Sequence, residues 1–164
     1  AVAYVYDKGM MEGTTDTTFA PAMNLTRSMI AQVLYNLEER PEAPGAAGFP
    51  DVAAGAWYAD AVNWAAAQGI VAGYDTGAFG PEDAVTREQL AAMLYRYADA
   101  PEASGTLDAF TDADTVSAYA ADAMRWAAAN GIVNGSHGRL NPQGNATRAQ
   151  AAAMLMRFCE NMEQ

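Results

Sequence analysis

Apolar residues recur along this chain with a helical period, and they do so three times in register. Ile30, Val33, Leu34 and Leu37 are matched by Leu90, Met93, Leu94 and Tyr97, and again by Ala151, Met154, Leu155 and Phe158. The spacing i, i+3, i+4, i+7 forms one stripe of an α-helix, and such a stripe must face a core. A Thr-Arg pair opens each pattern, at Thr26-Arg27, Thr86-Arg87 and Thr147-Arg148, with intervals of 60 and 61 residues. A repeat of this length is one supersecondary piece that cannot bury its apolar face alone, so copies must pack on one another and function belongs at their seams. Each Thr stands where an N-cap is expected. Gln89 and Gln150, three residues on, permit a capping box that Met29 cannot make in the first copy.

A second helix precedes each of these. It reads most clearly from Trp57 to Gln68, where Trp57, Ala61, Trp64, Ala65 and Gln68 share a face, and its third-copy counterpart holds Tyr119, Ala123, Trp126, Ala127 and Asn130. Gly9, Gly69 and Gly131 close these helices, as a left-handed C-terminal stop requires. A turn-rich loop follows, in which Phe19, Phe79 and Leu140 are expected to fold back as apolar plugs. Gly13, Gly73 and Gly135 coincide between copies and suggest a backbone position needing positive φ. Each unit therefore reads as helix, compact loop, helix.

The second and third copies open with Phe49-Pro50-Asp51-Val52 and Phe110-Thr111-Asp112-Ala113. No such opening precedes the first copy. Ala1 aligns with Ala61 and Tyr4 with Trp64 and Trp126, so the chain is expected to begin inside the first helix of copy one, as a fragment of a longer protein would.

Phe49, Asp51, Val52, Trp57, Tyr58, Ala59, Gly69, Ile70, Val71, Gly73, Phe79, Pro81, Thr86 and Arg87, repeated with variation, resemble the S-layer homology domain. The resemblance covers almost the whole chain. It implies an all-α fold, a pseudo-threefold helical bundle of three helix-loop-helix repeats forming one domain over 1–164, with a partial repeat at 1–45 and complete ones at 46–105 and 106–164. It also implies a non-catalytic module that anchors surface proteins by binding secondary cell-wall polysaccharide, often pyruvylated or otherwise acidic, in grooves between repeats. An extracellular location at the cell wall or surface, in Gram-positive bacteria, goes with it. The Glu that usually follows Thr-Arg-Ala is Met29, Gln89 and Gln150 here, Tyr119 and Ala120 replace Trp57 and Tyr58, and the third loop is one residue shorter.

Chemistry supplies a reason why Thr-Arg could hold an acidic sugar. The first N–H groups of a helix have no intrahelical partner and favour an anion, and an arginine there adds a planar fork for a carboxylate. Aromatic side chains offer flat faces to sugar rings. The candidate ligand-binding set is Arg27, Arg87 and Arg148 with Thr26, Thr86 and Thr147, together with Asp51, Asp112, Trp57 and Tyr119. The competing structural reading pairs the arginines with Asp51, Asp112 or other acids to lock units together. Trp64 and Trp126 belong to the core, Asp51 and Asp112 act as loop or cap acceptors rather than metal ligands, and His137, the sole histidine, is an exposed loop residue.

Composition narrows the partners. With 9 basic and 20 acidic residues the formal net charge is −11, and no basic stripe runs along the sequence. Nucleic acid and anionic membrane are poor partners, because both require clustered Lys or Arg. The longest stretch without a charge, Ala61 to Tyr74, falls short of the ~18 apolar residues that span a bilayer. Cys159 is alone and forms no intrachain disulfide. There is no nucleophile-base-acid constellation, no Cys/His metal spacing and no phosphate loop, so neither enzyme activity nor a metal or cofactor is expected. The alternative function is a protein-interaction or self-assembly scaffold on the same fold.

Overall fold

The computed structural model describes residues 1–164. Six α-helices account for the regular structure: α1 Val2–Asp7, α2 Arg27–Leu37, α3 Ala59–Ala67, α4 Arg87–Tyr97, α5 Ala121–Ala129 and α6 Arg148–Met162, with two 3-10 turns at Ala113–Thr115 and Ala118–Ala120. The only β-type pairings are isolated bridges. The chain is all-α, as the helical periodicity requires.

The repeated apolar stripe is the core. Ile30, Leu34, Leu90, Leu94, Ala151 and Leu155 are fully buried, and Val33, Met93, Met154 and Phe158 nearly so. The helix starts follow the capping logic. Thr86 and Thr147 each accept the N3 backbone N–H while Gln89 and Gln150 reach back to the cap N–H, whereas Thr26 receives only the Met29 N–H. Gly9, Gly69 and Gly131 end α1, α3 and α5 with φ of 67°, 74° and 68°.

Helix partners cross from one repeat to the next. α2 packs on α3, α4 on α5, and α6 on α1. The first two contacts are stitched by aromatic pairs, Tyr35 on Trp64 at 5.6 Å and Tyr95 on Trp126 at 5.4 Å. The same tyrosines donate their hydroxyls to the Pro41 and Pro101 carbonyls, which fastens the connecting segments after α2 and α4. Met156 stands in the place of these tyrosines in α6, which continues to Met162.

A closed set of hydrogen bonds joins the three copies. Leu25 N donates to Ala146 O, Ala146 N to Val85 O, and Val85 N to Leu25 O, at 2.8–2.9 Å, and all three residues are fully buried. Each copy thus bonds both others through the residue just before its Thr cap.

Two local expectations change. Trp57 and its counterpart Tyr119 are not on α-helical faces: α3 begins at Ala59, after a turn in which Ala59 N donates to Ala56 O, α5 begins at Ala121, after the 3-10 turn that holds Tyr119, and Trp57 is 62% exposed. Of Gly13, Gly73 and Gly135, only Gly135 has positive φ. What the three share is close approach, since a Cβ would lie 2.5 Å from Thr15 O at Gly13, 2.7 Å from the Phe49 ring at Gly73, and 2.7 Å from Arg139 O and the Phe110 ring at Gly135.

Candidate functional site

The Thr-Arg helix starts lie at the seams, each set into the loop of the neighbouring copy. Their first N–H groups are already partnered. Arg27 N and Ser28 N donate to Asp83 O and Pro81 O, Arg87 N and Glu88 N to Gly144 O and Pro142 O, and Arg148 N and Ala149 N to Met23 O and Pro21 O. The expectation of open N–H groups awaiting an anion is corrected: neighbouring carbonyls fill that seat, and the Thr hydroxyls cap the third N–H.

The three arginines divide into two kinds. Arg27 is 6% exposed; its Nε donates to Phe79 O and a terminal nitrogen to Ala72 O, both at 2.8 Å, with the Tyr74 and Phe79 rings 4.7 Å from its Cζ. Arg148 is 5% exposed and repeats the pattern on Phe19 O and Glu12 O, with its remaining terminal nitrogen 3.6 Å from Met29 Sδ. Its burial lowers its pKa from the ordinary arginine value. Arg87 is half-buried, with one terminal nitrogen 2.8 Å from Gln150 Oε1 and the other only 3.5 Å from Asn141 O, so much of its fork remains free. None of the three forms an ion pair with Asp51 or Asp112, so where the arginines lock units they do so through carbonyls.

Asp51 and Asp112 serve the loops. Asp51 accepts Phe79 N and Gly80 N, and Asp112 accepts Leu140 N and Asn141 N, every bond 2.8 Å. These backbone donors hold both carboxyls below the usual carboxylate range. The plugs they steady, Phe79 and Leu140, are buried, whereas Phe19 of the first copy has no such aspartate and is half-buried.

Two grooves open between copies. One, of about 730 Å³, lies over the third loop and α6, and Arg87, Arg139, Arg157, His137, Gln150 and Asn141 supply its polar lining together with Asn134 and Ser136. No carboxylate lines it, although Asp112 approaches Arg139 from behind at 3.9 Å. The other, of about 590 Å³, lies over the first loop and α2, with Trp57 and Arg148 reaching in from the other copies. The second loop differs because Tyr74 stands where Thr14 and Ser136 stand. Its ring lies on Arg27 and its hydroxyl donates to Asp83 Oδ2 at 2.8 Å, so the bulky side chain occupies the space that small ones leave open.

Several of these residues escaped the sequence reading. Arg157 lies nine positions after Arg148, as Asn36 and Arg96 lie after Arg27 and Arg87, and all three donate to a loop carbonyl: Ile132 O, Met10 O and Ile70 O. Aligning the repeats beyond their apolar stripe would have exposed that position. Glu88 had no such signal, being Ser28 and Ala149 elsewhere. It is 3% exposed and accepts from Ser117 N, Ser117 Oγ and Gln143 Nε2, tying α4 to the third copy. Tyr119, 55% exposed, leans toward the same carboxylate at 3.4 Å.

Comparison with known proteins decides the family. A family model described as the S-layer homology domain matches residues 1–28, 48–91 and 109–152. The chain belongs to the S-layer homology domain family. Among its relatives, the surface-layer 125 kDa protein of Lysinibacillus sphaericus is 34% identical over 99% of this chain and 14% of its own length. An amylopullulanase of Thermoanaerobacterium thermosulfurigenes is 34% identical over 92% of this chain and 8% of its own length. The exoglucanase XynX of Acetivibrio thermocellus is 32% identical over 92% and 14%. The chain thus spans only 8–14% of the length of these relatives. Membership in this surface-protein anchoring family places it outside the cell, at the cell wall or surface. No helix is long and apolar enough to cross a membrane.

Proposed function

We propose that the chain is a non-catalytic anchoring module, one pseudo-threefold bundle over 1–164, that holds an acidic secondary cell-wall polysaccharide in its inter-repeat grooves. The observation that carries this reading is the groove over the third loop. In a chain of net charge −11, it gathers three of the nine basic residues and no carboxylate in its lining. Such a pocket concentrates positive potential locally and selects an anion against the field of the surrounding surface. Arg87 clasps the carboxylate, with Arg139 and Arg157 flanking it. Arg27 and Arg148 hold the seams, Thr26, Thr86 and Thr147 cap the helices that carry the arginines, Asp51 and Asp112 steady the loops, Trp57 forms a wall of the first-loop groove, and Tyr119 supports the Glu88 tie between α4 and the third copy.

Co-sedimentation with Gram-positive wall sacculi, before and after acid extraction of the secondary polymer, tests this. Retention should vanish with the polymer. Arg87→Ala should weaken binding roughly 10- to 150-fold, the equivalent of one charge-assisted contact of about 1.5–3 kcal/mol. Retention that survives extraction, or absence of retention on any wall, would overturn the reading in favour of a protein-interaction scaffold.

A further inference from the structure

The two open grooves are built from corresponding residues but have become chemically unlike. Where the third-loop groove has Gln150, Ala153, Met154 and Arg157, the first-loop groove has Met29, Gln32, Val33 and Asn36. Its two arginines find partners within its own lining, a carboxylate among them. Arg40 lies 3.8 Å from Glu12 and donates from Nε to Asn36 Oδ1, while Arg148 is buried on two carbonyls and the Met29 sulfur. Glu12 itself is largely exposed and faces the opening, where it would repel a second carboxylate.

What remains free suits hydroxyl groups and the flat face of a ring. Trp57 is the most exposed of the large hydrophobic side chains, at 62%, with Tyr58 packed against it edge to face at a centroid distance of 5.1 Å. That contact sets the orientation of the indole while leaving it open to the groove. Gln32 uses one amide N–H on Asn36 and keeps its carbonyl oxygen and second N–H unspent. A sugar hydroxyl both donates and accepts, so it can satisfy Gln32 and Glu12 together; a carboxylate can only accept.

We infer that the first-loop groove is a second, chemically distinct subsite that binds an uncharged sugar residue stacked on Trp57, while the third-loop groove takes the acidic residue. The inference rests on the anchoring reading for its ligand, a polymer carrying both kinds of sugar. One module would then recognise the order of residues along a chain rather than the same acidic group twice.

The test uses polysaccharide released from a wall that retains the protein, presented native or with its carboxyl groups chemically reduced to alcohols. Trp64 and Trp126 are buried, so a ligand-induced change in tryptophan emission reports Trp57. The expected result is an emission change with both polymers, persisting at high salt with the reduced one. Trp57→Ala should abolish the signal and weaken binding of the reduced polymer roughly 3- to 10-fold, the range of one aromatic contact, and Trp57→Phe should restore the affinity. Circular dichroism should show the variants folded, because Trp57 lies outside α3 and is exposed. Loss of the Trp57 response on carboxyl reduction, or full affinity of Trp57→Ala for the reduced polymer, would overturn the inference and leave the anchoring reading standing. Absence of retention on any wall would overturn both.

Discussion

Arg27→Ala should destabilise the fold far more than Arg87→Ala, although the two residues occupy equivalent places in the repeat. Arg27 is buried and supplies the donors for Phe79 O and Ala72 O. Its removal strands two carbonyls at a cost of about 1–3 kcal/mol each, and takes the cation from between two aromatic rings, worth about 0.5–2 kcal/mol. These contributions overlap, so the expected loss is about 3–5 kcal/mol, near the upper end of single-substitution effects. For a domain of this size that corresponds to a fall in Tm of roughly 6–20 °C. Arg87→Ala leaves the Thr147–Gln150 capping box intact and removes a half-exposed contact, so it should cost less than about 1 kcal/mol. Arg27→Lys, which keeps the charge but not the planar fork, should fall between the two. Urea titrations followed by circular dichroism, with calorimetry for Tm, measure all three. Equal destabilisation by Arg27→Ala and Arg87→Ala would refute the division of the arginines into buried locks and one whose fork is largely free.

Acidification and a cap repair supply two further checks. Asp51 and Asp112 are held below their ordinary pKa by backbone N–H donors, so the stability they confer is present above the unfolded value near 4 and lost as pH falls through the folded one. Thermal melts between pH 7 and pH 2 should therefore show a shallower acid loss in Asp51→Asn than in the parent chain; parallel curves would contradict the assignment. Met29→Gln should complete the capping box that α2 lacks and give Arg148 an oxygen partner like the one Gln150 offers Arg87. A gain of about 0.5–1 kcal/mol in urea midpoint analysis is expected, and a loss would show that the Met29 sulfur contact matters more than the cap.

Part of this architecture is written locally, and those parts were legible. The Thr caps, the Gln89 and Gln150 boxes and the glycine stops at Gly9, Gly69 and Gly131 depend on residues within one turn of each other, so spacing alone reveals them. Burial of the stripe from Ile30 to Phe158 follows from period and composition. The repeat likewise pointed to the seams, because a helical stripe without an internal partner must find one in the next copy.

Where the sequence reading failed, the deciding partner lay far along the chain. The N–H groups at each helix start looked free because their acceptors, such as Pro81 O for Ser28 and Pro21 O for Ala149, lie 53 and 128 positions away. Equivalent arginines came to differ because Arg27 meets the Tyr74 and Phe79 rings and two loop carbonyls, while Arg87 meets only Gln150 Oε1 and, at 3.5 Å, Asn141 O, a distinction made by the neighbouring copy rather than by the motif. The sequence by itself determined the helices, their caps, the core stripe and the family. Tertiary structure decided which arginine is spent on structure, which groove Tyr74 fills and which grooves stay open, because those outcomes depend on contacts made only when the three copies close on one another.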